Sequence, residues 1–266
     1  MNPWSNPDAL PAADAAGLAA FIDARSLMAD QAQAHAALVE ALAPQPGEDL
    51  LDAGCGTGVI ARRLAERVQP GGSVLGVDIS RAMIAFAERQ PMAEGLRYQQ
   101  ASAYHLPCAD NSFHGLTAAR LLMHVDEPHV LLCELRRVAR AGSRLALLEA
   151  DWGTMAVDHS QRALTRRIVD WRTDTVDGEN WMGRQLVRRC MEAGWQVDDL
   201  RVLVNVARDA GNTLTGSLRR CAELAVQNGV ITTDEQQRWV GEIDRRLAEG
   251  AFFAMMNEVI VVARRS

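Results

Sequence analysis

Apolar residues recur along the chain in two rhythms, and the boundary between them organises the molecule. Between residues 45 and 151, short apolar runs alternate with stretches of helical spacing. The runs are "EDLLDAG", "GSVLGVD", "LRYQQAS", "GLTAARL" and "SRLALLEAD"; the helical stretches include Ile60/Leu64/Val68 and Leu131/Leu135/Val138. That alternation predicts βαβ units and a parallel sheet. Ahead of it, Ala34, Ala37, Leu38, Ala41 and Leu42 follow a helical period until "PQPG" breaks it. Pro128 suits the first turn of the Leu131 helix, and Gly142 is expected where that helix ends.

After Asp151 the alternation stops. Asp158 to Thr175 is polar and helical, a helix is expected from about Gly183 to Ala193, and "GWQVDDLRVLVNV" reads as a sixth strand. Two further helices are expected before the final strand "NEVIVVARR". One is built on Leu218, Cys221, Ala222 and Ala225; the other is opened by Thr233 with Gln236 three residues on, and carries Trp239, Ile243 and Leu247. The resulting division is 1–44, an N-terminal helical cap segment; 45–151, an α/β core; 152–182, a cap insertion; 183–207, a core helix and strand; 208–250, a second cap insertion; and 251–266, the last core strand.

Composition narrows the chemistry. The formal charge is −6, and the arginine pairs are scattered through predicted helices rather than gathered into a stripe, which disfavours nucleic acid as a partner. No apolar run approaches the roughly 18 residues of a membrane span, and no targeting pattern opens the chain, so a soluble, cytoplasmic protein is expected. The 5 cysteines are widely spaced without a C-x-x-C pair, so neither a disulfide framework nor a metal site is expected. Every one of the 28 basic residues is arginine, which excludes a lysine Schiff base or lysine general base.

The densest signal is "LLDAGCGTGVIARRL". Glycines in the first βα turn of such a sheet let a ligand approach the backbone closely. Gly54, Gly56 and Gly58 give G-x-G-x-G, however, and not the G-x-G-x-x-G of a dinucleotide site. Asp52, two residues before Gly54, would repel a pyrophosphate and suits a ligand with a cationic end. Asp78 closes the second strand, where a carboxylate can accept both ribose hydroxyls. A nucleoside bearing an ammonium or sulfonium group satisfies both carboxylates.

These residues, continued through "GVDIS", "HLPCADNSFHGL" and "LLMHVDEPHVLLCELRRVARAGSRLALLEADW", resemble the class I S-adenosylmethionine-dependent methyltransferases, in particular the small-molecule branch of ubiquinone and menaquinone biosynthesis. The resemblance runs from Gln45 to about Trp152. It implies a Rossmann-like α/β sheet of seven strands with the last antiparallel, a helical cap, and S-adenosylmethionine over the first two strands, with S-adenosylhomocysteine as product. By position, the Gly54, Cys55, Gly56 and Gly58 turn would hold the methionine portion beside Asp52. Asp78 would take the ribose, Ile79 and Met83 would lie on the adenine, and Ser102 and Ala103 would reach its polar edge. Ser102 stands where the family usually has an acid, His114 where it has an aspartate, and Ala141 where it has a proline.

A sulfonium methyl is already activated for in-line displacement, so alignment and water exclusion matter more than a strong catalytic constellation. Candidate bases are His124, after the fourth strand, and Asp151, after the fifth; a backbone-bonding histidine and a capping aspartate are the alternatives. Arg120 is counted with the cofactor residues, and could also orient an acidic substrate or pair with a carboxylate. Trp152 and Trp181 are candidate acceptor walls, while Trp171 and Trp239 read as wall or cap core. Cys55 is a small filler in its turn. Methyl transfer to a small molecule is thus expected. A cyclase or rearrangement enzyme that keeps the cofactor, or a binding module without chemistry, remains open, as do the acceptor atom and the oligomeric state.

Overall fold

The computed structural model describes residues 7–175 and 178–266. Residues 1–6 of the expected N-terminal segment and residues 176–177 of the 152–182 insertion lie outside the described residues. Seven strands form one sheet: β1 (Asp49–Ala53), β2 (Ser73–Asp78), β3 (Leu96–Gln100), β4 (Phe113–Ala119), β5 (Ala139–Val157), β6 (Gln196–Ala207) and β7 (Ala254–Arg264). Their order is β3-β2-β1-β4-β5-β7-β6. The first five pair in parallel, and β7 runs antiparallel to both β5 and β6. Strand order therefore reverses between β1 and β4, and the carboxyl ends there open a crevice, the usual ligand position in such sheets.

Nine helices are described: α1 (Ala12–Ser26), α2 (Ala29–Leu42), α3 (Val59–Arg67), α4 (Arg81–Glu88), α5 (Pro128–Val138), α6 (Arg162–Thr175), α7 (Met182–Glu192), α8 (Thr213–Gln227) and α9 (Thr233–Ala248). Leu38 and Leu42 of α2, with Ile60 and Leu64 of α3, pack against Leu50 of β1 and Leu148 of β5 on one face of the sheet. The other face carries Leu131 and Leu135 of α5 and Leu186 of α7. β1 and the middle of β7 are apolar on both faces, which is why Leu50–Leu51 and Val259–Ala263 read as unbroken hydrophobic runs. β6, at the sheet edge, alternates instead, leaving Leu200, Val202, Val204 and Val206 exposed.

α6, α8 and α9 lie outside this layering and share a core built on Ile168, Leu218, Trp239 and Ile243. Trp239 is fully buried, with its indole N–H donating to Thr165 Oγ1 at 2.9 Å and its ring stacked 5.5 Å from that of His159. It packs in the core between these helices.

Two local expectations move. The capping box of α9 is Thr232 with Glu235, one residue ahead of the expected Thr233/Gln236 pair. In "TTDEQQ" both registers match the pattern. The observed one brings Asp234 and Glu235 into the first turn, where negative charge meets the positive helix end. Gly142 does not end α5: the helix closes at Val138, and Gly142 lies near the start of β5, its N–H donating to Arg265 O at 2.8 Å. His114 is a bridge at the amino end of β4, away from the crevice. Its Nδ1 accepts from Asp49 N at 3.0 Å, and Arg140 contacts its Nε2.

Candidate functional site

A cavity of about 420 Å³ opens at the crevice. The turn after β1 forms its floor, and the glycines there serve different needs. At Gly56 φ is +51°, and an added Cβ would meet nothing within 4 Å, so this turn cradles open space. At Gly58 φ is +78° and an added Cβ would lie 2.2 Å from Tyr98 Oη, so this glycine seats Tyr98 at the start of α3. Gly58 does not border the cavity, whereas Gly54, Cys55 and Gly56 do. Burial pushes the Cys55 thiol well above its ordinary range, which fits a filler and not a nucleophile.

Asp52 borders the cavity almost completely buried. Its Oδ1 accepts from Thr117 Oγ1 at 2.7 Å, and its Oδ2 has no hydrogen-bond partner among the described residues. Burial raises its pKa to about 7; Thr117 opposes the rise and Asp78 adds to it. Asp78 also borders the cavity. Its oxygens accept from Gly56 N at 2.8 Å and Ser80 N at 2.9 Å, leaving each with further acceptor capacity. Burial raises the Asp78 pKa as well, against the hydrogen bonds from Ser80 and Gly56. An unmet buried acceptor, a carboxylate fixed by two backbone donors and an open glycine turn fit a ligand with an ammonium group and a ribose.

Beyond β2, Ile79 and Met83 border the cavity at the start of α4, and Ser102 and Ala103 follow β3. The Ser102 hydroxyl accepts from Tyr104 N at 3.2 Å. Ser80 caps α4 through its hydroxyl. A second acid, Asp8, accepts from Ser80 Oγ at 2.7 Å and Arg81 N at 2.8 Å, tying the chain before α1 to the same helix end.

After β4, Arg120 and His124 border the cavity. Arg120 Nη2 donates to Glu258 Oε1 at 2.7 Å. The 3-10 turn carrying His124 (Leu122–His124) is held by Glu149 Oε1, which accepts from Leu122 N at 2.7 Å, and by Met123 O, which accepts from Glu179 N at 2.8 Å. Burial raises the Glu149 pKa to about 8.

Three sequence candidates lie elsewhere. Asp151 is nearly buried in a bidentate pair with Arg184, at 2.7 and 2.8 Å, and does not border the cavity. A carboxylate so engaged is a structural anchor between β5 and α7. Trp152 and Trp181 are also outside the lining; Arg172 stacks over the first at 4.1 Å and Arg184 over the second at 4.1 Å. The reverse case is Ile22 and Arg25 of α1 and Gln31 and His35 of α2, which do border the cavity. The helical period from Ala34 to Leu42 marks α2 as a helix but says nothing of where it docks, and no period is read over α1.

The methyltransferase-domain family matches residues 51–147. The chain is 34% identical over 230 residues to a transposon-borne 37.1 kDa protein of Streptomyces fradiae, covering 85% of this chain and 65% of that one. It is 36% identical over 110 residues to the demethylmenaquinone methyltransferase of Symbiobacterium thermophilum, covering 40% of this chain and 44% of that one. The chain thus spans less than two-thirds of the length of these relatives. A Bacillus halodurans crystal structure described as a methyltransferase superposes with a TM-score of 0.59 at 19% identity, covering 87% of this chain and 98% of that one, a likeness of fold. The glycine turn, Asp52 and Asp78 all lie inside the segment that matches the methyltransferase-domain family, and the sheet shares the fold of the Bacillus halodurans structure.

Proposed function

We propose that the protein transfers a methyl group from S-adenosylmethionine to a small-molecule acceptor. The observation that carries this reading is the unpartnered Asp52 Oδ2 beside the open Gly56 turn, with Asp78 alongside. Asp52 would receive the ammonium of the methionine portion and Asp78 the ribose hydroxyls, with Ile79, Met83, Ser102 and Ala103 around the adenine. Bound here, S-adenosylmethionine supplies a sulfonium-activated methyl group. The protein's own work is then to align the acceptor, exclude water and, for an acidic nucleophile, hold its proton. His124, on the cavity wall after β4, is the candidate for the proton. Asp151 is withdrawn from that role by its engagement with Arg184.

In this reading segments 1–44, 152–182 and 208–250 close the acceptor side, with α1, α6, α8 and α9 as the cap. Trp152 and Trp181 then act by packing under their arginines, not as acceptor walls. No described helix is long and apolar enough to cross a membrane.

Incubating the protein with S-adenosylmethionine and a metabolite extract should yield S-adenosylhomocysteine together with a product heavier by one methylene, read by mass spectrometry. Tight binding of S-adenosylmethionine with no S-adenosylhomocysteine formed from any extract fraction would favour a cofactor-retaining cyclase or a binding module instead.

A further inference from the structure

The acidic floor accounts for only part of the cavity. Arg25 borders it, and among the described residues no carboxylate lies within 4.0 Å of this guanidinium. The two acids that act on Arg25 are committed elsewhere. Glu258 accepts from Arg120 at 2.7 Å, and Asp30 accepts from Gln31 at 2.9 Å, Asn205 at 3.1 Å and the Thr213 hydroxyl. Arg120 and Arg172 add positive charge around Arg25. Burial and then Arg120 lower the Arg25 pKa to about 10, which leaves it cationic at neutral pH.

His35 supplies a second unmet donor. Its Nε2 meets Arg120 Nη1 at 3.2 Å, and a guanidinium only donates, so Nε2 accepts and the ring proton sits on Nδ1. That Nδ1 is buried and has no partner among the described residues. Burial and Arg120 lower the His35 pKa to about 3, so the ring is neutral. An uncompensated cation and an unmet N–H donor bordering one cavity are both satisfied by an oxyanion. The charged groups that act most strongly on Arg25 come from β7, α2, α6 and the end of β4, and Arg25 is not among the groups acting on Asp52.

We infer that Arg25 and His35 receive an oxyanion of the acceptor, so that the molecule methylated here is an acid bearing a carboxylate or phosphate group. This rests on the methyltransferase reading above. The test uses the full chain saturated with S-adenosylhomocysteine, titrated by calorimetry with benzoate, phenyl phosphate and the neutral isostere benzamide. Wild-type protein should bind one of the two anions roughly tenfold or more tighter than benzamide, the size of a charged hydrogen bond. Which anion is preferred identifies the acid. In Arg25→Gln the preference should vanish while S-adenosylhomocysteine affinity stays unchanged; in Arg25→Lys, which keeps the charge without the fork, part of it should survive.

Equal binding of anions and benzamide to wild-type protein, or an anion preference untouched in Arg25→Gln, overturns the inference. So does a loss of S-adenosylhomocysteine affinity in Arg25→Gln, which would give Arg25 to the cofactor's own carboxylate. Failure of wild-type protein to bind S-adenosylhomocysteine at all would remove the methyltransferase reading itself and this inference with it.

Discussion

Asp52 and Asp78 bring two carboxylates to the part of the cavity over β1 and β2, whereas Arg25 and Arg120 bring two guanidiniums to its border with α1 and the end of β4. The acidic part is local: Asp52 and the glycine turn are consecutive in sequence, and Asp78 ends the adjacent strand. The basic part is assembled from a distance, since Arg25 and His35 sit on helices ahead of the sheet and meet Arg120 only through folding. Selection for a shared cofactor needs the first arrangement, which can be written as a short motif. Recognition of one particular acceptor needs only the second, which has no fixed spacing.

The sharpest way to separate the two parts is to remove the residue expected to serve chemistry and neither ligand's recognition. His124→Ala should lower turnover with the true acceptor by about 10² to 10⁴, with S-adenosylmethionine affinity nearly constant, if the imidazole takes a proton. Near-wild-type turnover in both His124→Ala and His124→Asn, with unchanged melting, would leave alignment and desolvation as the account of catalysis. The acidic part is broken next: Asp78→Ala should weaken S-adenosylmethionine binding by about 1.5 to 3 kcal/mol, the range for hydrogen bonds to a charged group. Unchanged affinity by calorimetry would remove the ribose assignment.

A third measurement uses pH. The Asp52 carboxyl sits at about 7 in the ligand-free protein, and a cationic ligand favours its ionised form. S-adenosylmethionine affinity should therefore be highest above pH 7 and fall as pH drops through it, by at most roughly tenfold per pH unit. Asp52→Asn should flatten that dependence. Stability of the ligand-free protein runs the other way. Folded-state pKa values raised to about 7 at Asp52 and about 8 at Glu149 mean that the folded chain holds protons the unfolded chain releases. Stability should fall as pH rises from the ordinary carboxylate range towards 8, and Glu149→Gln should remove part of that fall in pH-dependent melts. A flat S-adenosylmethionine affinity from pH 6 to 8 would end the pairing of Asp52 with an ammonium group.

What could be read in the chain follows the same division. The five parallel strands, the βα turn and Asp78 were legible because their periodicity and spacing are set by neighbours in sequence. The antiparallel last strand, carried by the family resemblance, stands at β7. His35 was not legible because a helical period identifies α2 without saying which sheet end it reaches, and Asp8 and Arg25 lie in the stretch ahead of it, where no pattern is read. Trp152, Trp181 and Asp151 show the converse. The sequence put Asp151 and Trp152 at an expected strand end, whereas β5 runs on to Val157, and an arginine from α6 or α7 engages each of the three. For Trp152 and Asp151, nothing in the local sequence announces a partner 20 and 33 residues away on another element.

The smallest expected effect tests whether the acidic part depends on the N-terminal segment at all. Asp8 accepts hydrogen bonds from Ser80 Oγ, Arg81 N and Ala82 N, at 2.7, 2.8 and 3.3 Å, so it adds a second cap to the helix whose first turn carries Met83 into the cavity. Ser80 continues to cap α4 through its contact with Met83 N, so Asp8→Ala removes only one of two devices. Its cost should fall at the low end of the capping range, about 0.5 to 1 kcal/mol of stability by denaturant titration. S-adenosylmethionine affinity should fall by a smaller margin, through loosening of Ile79 and Met83 and not through a lost contact. Asp8→Asn, which can still accept from the amides, should recover most of the stability. A loss of affinity larger than the loss of stability would mean that the segment before α1 bears on the bound cofactor directly. No change in either would mean that Ser80 alone fixes α4 and that the acidic part is as self-contained as its motif suggests.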